Sequence, residues 1–269
     1  MGKVGRWKFY NPQDGPMRVA GLMSGSGTNL RRIIELEMRL KEQLDESPFE
    51  VVVIFSDNAD SNAAVIGKDY DKPIVIRDKR AFYKARNKPL SDMDVRADFD
   101  AKNVDALEPY CIDIAAYAGY ESIATEPLVE AFSGINIHPC DLAVKGEDGK
   151  PAYVGLGNKA VAKPILAGEK TIRSSTHFIE KEVDCGRVLM RSPTMEVNRP
   201  ADFDPNDKEM VTRVADEHQD KLKEVGDWVA FPATIQAIAE GRFEEDEHRN
   251  LYFDGELIPN GVDMETTKI

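Results

Sequence analysis

The chain has 269 residues, 48 of them acidic and 35 basic, for a formal net charge of −13 at pH 7. Hydrophobic residues make up 42% and charged residues 31%, a globular composition at a length that suits one large domain or two small ones. The acid excess argues against a general nucleic-acid binder, which needs a basic face to displace counterions from phosphates. No run approaches the roughly 18 apolar residues of a membrane span. The start, Met1-Gly2-Lys3-Val4-Gly5-Arg6-Trp7-Lys8, has no apolar block behind its positive charges, so it does not read as a secretory signal. Gly2 is not set for myristoylation, because that pattern wants Ser or Thr where this chain has Arg6. Cys111, Cys140 and Cys185 are odd in number and widely spaced, which fits neither a disulfide framework nor a zinc site. The expectation is a reduced, cytoplasmic, soluble protein without a membrane or nucleic-acid partner.

Residues 1–16 are polar, contain Pro12 and Pro16, and read as an arm ahead of a single domain spanning 17–269. Arg18–Met23 is a short apolar run that reads as a buried strand. After the turn Ser24-Gly25-Ser26-Gly27, a helical stretch runs from about Asn29 to Leu44. Leu30, Ile33, Ile34, Leu40 and Leu44 fall near one face, and Glu37 breaks that stripe. Val51–Phe55 is a second buried strand followed by the turn cluster Ser56-Asp57-Asn58. Further short strands are expected at Pro73–Ile76, Ile112–Ala116 and Gly134–Ile137, the last ending at His138-Pro139. Between these runs lie segments of helical composition. From 201 to 269 the chain carries 18 acids against 7 bases, which reads as a solvated acidic helix and tail.

Strand–helix alternation with continuous apolar strands implies an α/β, Rossmann-like fold: a mostly parallel twisted sheet with helices on both faces. Ligands of such sheets sit beyond the carboxyl ends of the strands. That rule directs attention to Ser24–Asn29, Ser56–Asn58, Tyr117–Tyr120 and Asn136–Pro139. The first is a glycine-rich strand-to-helix turn, suited to a short anion such as one phosphate. It lacks the third glycine of a dinucleotide fingerprint and the Gly-Lys-Ser/Thr of a P-loop; the structural alternative is a tight turn capped by Thr28 or Ser26. Asn136 and His138, two apart on a strand, face one side. An amide donor beside an imidazole can stabilise a tetrahedral oxyanion and manage a proton. Asp184, in the acidic turn between Ile179 and Gly186, could orient an imidazole as triad carboxylates do. No carboxylates have metal-ligand company at suitable spacing, so no metal is expected. Nothing near Cys140 predicts the depressed pKa of a nucleophile.

Taken in order, these pieces resemble the folate-dependent formyltransferases. Val19–Arg31 (VAGLMSGSGTNLR) is similar to that family's first strand and phosphate loop, and Phe55–Asp60 to the turn after its second strand. Ala116–Tyr120 resembles the segment before the folate pocket. Asn136-Ile137-His138-Pro139 is similar to the catalytic signature, and Val183-Asp184-Cys185-Gly186 to the Asp-containing loop. Glu217-His218 and Asp254–Pro259 also match in order.

The resemblance implies transfer of a formyl group from 10-formyltetrahydrofolate, a co-substrate, to the primary amine of a phosphorylated small molecule, with no metal. It implies that Asn136 donates to the developing oxyanion, that His138 transfers a proton or stabilises charge, and that Asp184 holds His138 and relays a proton. Ser26, Gly27, Thr28 and Asn29 would cradle the phosphate and Glu217 would contact the amine. Tyr120, Ser122, Ile123 and Ala124, with Glu180, Lys181 and Val183, would line the pterin pocket largely through backbone. The chain departs from the family at Glu121-Ser122, where Met-Arg is usual and a positive charge is lost. It also carries a different loop from Cys140 and an extra polar stretch at Val144–Lys150. A hydrolase that releases formate from the same folate, a transferase for another amine and a non-catalytic phosphate- or folate-binding relative are the alternatives. A monomer or a homodimer fits equally.

Overall fold

The apolar run near the start forms the buried strand Met17–Met23 in a computed structural model that describes residues 5–269. Gly2 and the beginning of the arm lie outside the described residues. The described chain divides into two compact units. One holds Tyr10–Asn136 and Ile179–Lys181; the other holds the described residues up to Phe9, Ile137–Phe178 and Glu182–Ile269.

The first unit is built on parallel strands in the order Ser133–Asn136, Ile114–Tyr117, Met17–Met23, Phe49–Ser56, Ile74–Ile76. Their apolar runs read as continuous because both faces are covered, as parallel strands require. Ala20, Leu22, Val53, Phe55 and Ala115 pack with Leu107 and Leu128 from flanking helices. Every expected strand of this sheet is present, with ends close to its sequence bounds. Ile74 and Ile76 are partly exposed, since theirs is the last strand in the order.

The helix Thr28–Leu44 follows the first strand and buries Leu30, Ile33, Ile34 and Leu40, as the periodicity predicts. Two of its positions differ. Leu44 is 64% exposed, and Leu36 takes its place on the buried face. Glu37 does not break the stripe but lies inside it, 1% exposed. Its carboxylate accepts from the Val51 backbone N–H at 2.9 Å and from Lys41 and Lys72 at 2.8 Å each. A buried carboxylate persists when its lone pairs are filled by charged donors, and here the result ties helix to neighbouring strand.

In the second unit, Ser175–Phe178 runs antiparallel to Val188–Arg191, which pairs parallel with Val262–Asp263. The helices Asn158–Ala167 and Lys208–Leu222 bury Val161, Ile165, Val214 and Ala215 together. The acidic region is more ordered than a helix and tail. After Lys208–Leu222 come a second helix, Trp228–Ala239, and antiparallel strands Phe243–Asp246, Leu251–Phe253 and Glu256–Leu257. The run of acids hides the strand pattern: Phe243 is buried against Phe253, ring centroids 4.9 Å apart, while Glu244 and Glu245 are only partly covered. Part of the arm joins this sheet, Arg6–Lys8 pairing antiparallel with Glu244–Asp246.

Replacing Glu37 by Ala leaves the Val51 N–H and the mostly buried Lys72 ammonium without their acceptor. Urea denaturation is expected to show a loss of about 2–4 kcal/mol. Glu37→Gln, which keeps one acceptor oxygen, is expected to lose less.

Candidate active site

The glycine-rich turn in the first unit is capped neither by Thr28 nor by Ser26. The N-cap is Gly27, in the left-handed region at φ +69°, with no side-chain cap. The left-handed conformation favours glycine there, and an added Cβ would also push on the tips of Ile66 and Met23, 2.5 Å from Cδ1 and 2.7 Å from Cε. The first helical bond runs from Arg31 N–H to Gly27 O at 3.0 Å. The amides of Thr28, Asn29 and Leu30 therefore point off the helix end with the positive end of its dipole. Asn29 Oδ1 is buried with no partner among the described residues, and Ser26 is exposed. Asn62 fixes the turn from outside, its N–H donating to Gly25 O at 3.1 Å and its amide to Ser26 O at 3.3 Å.

The segment 119–125, expected to line a pterin pocket, is held by side chains from other elements. Ser24 N–H donates to Gly119 O at 2.9 Å, and Glu121 N–H donates to Ser24 Oγ at 3.0 Å. Tyr120 is buried and its hydroxyl accepts from Arg96 Nη2 at 2.6 Å; Arg96 Nε donates to Ile123 O at 2.9 Å. Ser122 donates to Asp57 and accepts from Lys79 Nζ at 2.7 Å. Tyr120 and Ser122 thus anchor the segment. The side chain of Ile123 is 53% exposed, and no hydrogen bond among the described residues uses the N–H of Ile123 or Ala124. Lys79, the cation beside Ser122, is paired with the buried Asp57 carboxylate at 3.0 Å. Glu180 and Lys181 belong to the same unit; Lys181 Nζ donates to Glu126 at 2.7 Å.

In the second unit His138 is buried at the end of the strand Ser133–His138. Its Nε2 lies 2.7 Å from Tyr153 O, which can only accept, so Nε2 carries the proton and Nδ1 is the basic site. Nδ1 faces Asp184 Oδ2 at 3.7 Å. That same oxygen accepts from Gly155 N–H at 3.0 Å. Asp184 sits at φ +55° in a turn that needs Gly186, where a Cβ would overlap Phe178 O. The extra stretch after Val144 is a small closed turn, with Gly146 N–H donating to Lys150 O and Ala152 N–H to Val144 O. It returns the chain so that Tyr153 and Gly155 meet His138 and Asp184.

His177 is not marked by any sequence pattern. It is 1% exposed, donates from Nδ1 to Phe178 O at 2.9 Å, and turns Nε2 toward Asp184 Oδ1 at 3.9 Å. The signal for it was its position shortly before Asp184 on the strand feeding the same turn. Asp57, Lys79 and Arg96 were also missed as anchors; only Asp57 lies in a turn that strand order had marked.

Burial holds the His138 imidazole below its ordinary value; Asp184 and the Tyr153 carbonyl pull upward, and Lys163 adds a smaller downward push. Burial likewise pushes the Cys140 thiol up to about 12, which fits an inert side chain. Asn136 is half-buried, two positions before His138 on the same strand. Val183 is 53% exposed next to Asp184. Glu217 is exposed on the helix Lys208–Leu222, 3.6 Å from Arg213 one turn back. His218 is structural, donating to Val214 O at 2.7 Å and accepting from Asn198 N–H at 2.9 Å. Among the described residues no three His, Cys, Asp or Glu side chains group to hold a metal ion.

The turn after the first strand, with free helix-end amides, and the buried imidazole–carboxylate pair where the strand Ser133–His138 ends are the chemistry-bearing features of an α/β protein. Residues 17–225 match the formyl transferase family model, and the chain belongs to that family. It is similar to phosphoribosylglycinamide formyltransferase of Haemophilus influenzae, 24% identical over 244 residues that cover 90% of this chain and 96% of the relative. It also resembles glycinamide ribonucleotide transformylase 1 of Symbiobacterium toebii, at a TM-score of 0.60 and 25% identity over 88% of this chain and 94% of that one. Phosphoribosylglycinamide formyltransferase of Coxiella burnetii shares the fold at a TM-score of 0.64 and 22% identity, covering 92% and 99% of the two chains.

Asp184→Asn removes the main influence raising the His138 pKa, so an NMR titration is expected to find that imidazole titrating lower still than in the parent. The sign extends to stability. A folded pKa below the ordinary 6.5 means that neutral His138 contributes stability present above that pH and lost as pH falls through the folded value.

Proposed function

We propose that this protein transfers a formyl group from 10-formyltetrahydrofolate to the primary amine of glycinamide ribonucleotide, a step of purine synthesis, in the cytoplasm. The carrying observation is the buried His138–Asp184 pair, with Nδ1 of a neutral imidazole aimed at the carboxylate 3.7 Å away. Relatives named for this reaction match along 90% of the chain.

Formyl transfer to an amine forms a C–N bond, passes through a tetrahedral oxyanion, and breaks the bond to the folate nitrogen. The amine must lose a proton and the departing nitrogen must gain one. Asn136 donates its amide N–H to the formyl oxygen as charge develops there. His138, kept neutral by burial, takes up a proton at Nδ1, and the resulting imidazolium faces Asp184, so proton uptake turns a lone pair facing a carboxylate into a charge-assisted pair. Asp184 then passes the proton toward the leaving nitrogen.

The folate fits the residues present. Ile123 and Ala124 offer unused amides to a pterin edge, and the exposed side chain of Ile123 offers apolar surface to a flat ring. Glu180 and Lys181 complete that wall. The acceptor's phosphate takes the amides of Thr28 and Asn29 and the side chains of Ser26 and Asn29, with Gly27 setting the turn.

Asn136→Ala is expected to lower kcat about 10²–10³-fold, the order that a single oxyanion donor contributes, with folding unchanged by circular dichroism. The assay follows formylated product against free formate. A near-parental rate, or rapid formate release without any amine, would overturn the reading.

A further inference from the structure

Asp57 is fully buried and its two carboxylate oxygens serve opposite sides. Oδ1 accepts from the Ser24 hydroxyl at 2.7 Å, and the Ser24 oxygen in turn takes the Glu121 N–H at 3.0 Å. Oδ2 accepts from the Ser122 hydroxyl and from Lys79 Nζ at 3.0 Å, while Lys79 also donates to Ser122 Oγ at 2.7 Å. One carboxylate therefore grips both residues of Glu121-Ser122 and ties them to the start of the glycine-rich turn. Arg96 and Asp100 extend the frame. Arg96 holds the Tyr120 hydroxyl and the Ile123 carbonyl, and Asp100 takes the N–H and hydroxyl of Thr125 at 2.8 and 2.7 Å.

Such a frame is more than a surface loop needs. Loops normally run over the surface with their polar groups solvated, and burying a carboxylate is unfavourable unless charge and hydrogen bonds compensate it. Here compensation comes from Lys79, 22% exposed, and from Arg96 Nη1 at 3.9 Å. What the frame achieves is placement: from Gly119 to Thr125 the backbone is pinned, with the amides of Ile123 and Ala124 left for a ligand. Rigid support of a binding segment raises affinity by removing the ordering it would otherwise undergo on binding.

We propose that Lys79 and Asp57 are positioning residues for the folate donor, fixing the segment 119–125 against the phosphate turn through Ser122 and Ser24. This rests on the reading of Tyr120–Ala124 as donor-binding. Neither residue touches the reacting atoms, so the effect belongs to donor binding and not to the chemical step.

The test measures binding of a non-reactive 10-formyl folate analogue by calorimetry and steady-state kinetics for the parent, Lys79→Met, Lys79→Arg and Ser122→Ala. Lys79→Met is expected to weaken the analogue and raise the donor KM about tenfold, as loss of a charged hydrogen bond does. Its kcat at saturating donor and its KM for the phosphorylated amine are expected to stay within about threefold of the parent, by the same reasoning. Lys79→Arg restores the cation and recovers most of the affinity. Ser122→Ala breaks the bridge without exposing a buried charge, and gives a smaller loss of the same kind even where Lys79→Met folds poorly. A purely structural role would lower the melting temperature and the active fraction while leaving donor KM unchanged. Parental donor affinity in both Lys79→Met and Ser122→Ala overturns the proposal alone. Failure of the parent itself to bind the analogue overturns the donor reading and the proposal with it.

Discussion

The proposed site depends on a buried imidazole facing a carboxylate. His138 Nδ1 and Asp184 Oδ2 stand 3.7 Å apart, both residues nearly out of solvent. Two backbone features hold that geometry. Tyr153 O takes the Nε2 proton and so fixes which nitrogen is basic, and Gly155 N–H holds the carboxylate oxygen. Asp184 reaches the place from a left-handed turn that closes against Phe178 O, where only Gly186 fits.

The first unit poses an electrostatic question, because the chain is at −13 and both ligands are anionic. The answer lies in range. Amides at the helix end after Gly27 act within a few ångströms, whereas surface carboxylates are screened over about 8 Å at physiological salt. Lys79 and Arg96 meanwhile are engaged internally with Asp57, Ser122, Tyr120 and Ile123. These two cations set loops, and the proposed phosphate is left to the backbone amides.

The strands of the first unit were legible in the apolar runs, because parallel strands buried on both faces carry no competing polar pattern. The loops they mark include Gly27, Asn136 and His138. Glu37 shows what such reading loses. A charge at a core position looks like an interruption until the Val51 amide and two lysines are seen to meet it. His177 was overlooked for a related reason: it lies shortly before Asp184 on the strand feeding the same turn, but a histidine inside a strand reads as a satisfied core residue. Lys79 and Arg96 lie on helices where a cation reads as a solvated face, and tertiary structure alone turns them inward. The strands after Phe243 were obscured because acidic residues occupy so many of their positions.

The most direct test is a crystal structure with glycinamide ribonucleotide and a non-reactive formyl-folate analogue bound together. The expected result is the phosphate on the amides following Gly27 and the formyl oxygen at hydrogen-bonding distance, about 3 Å, from the Asn136 amide, with His138 and Asp184 beside the reacting nitrogen. A formyl group bound away from Asn136, or a phosphate that ignores the glycine-rich turn, would contradict it.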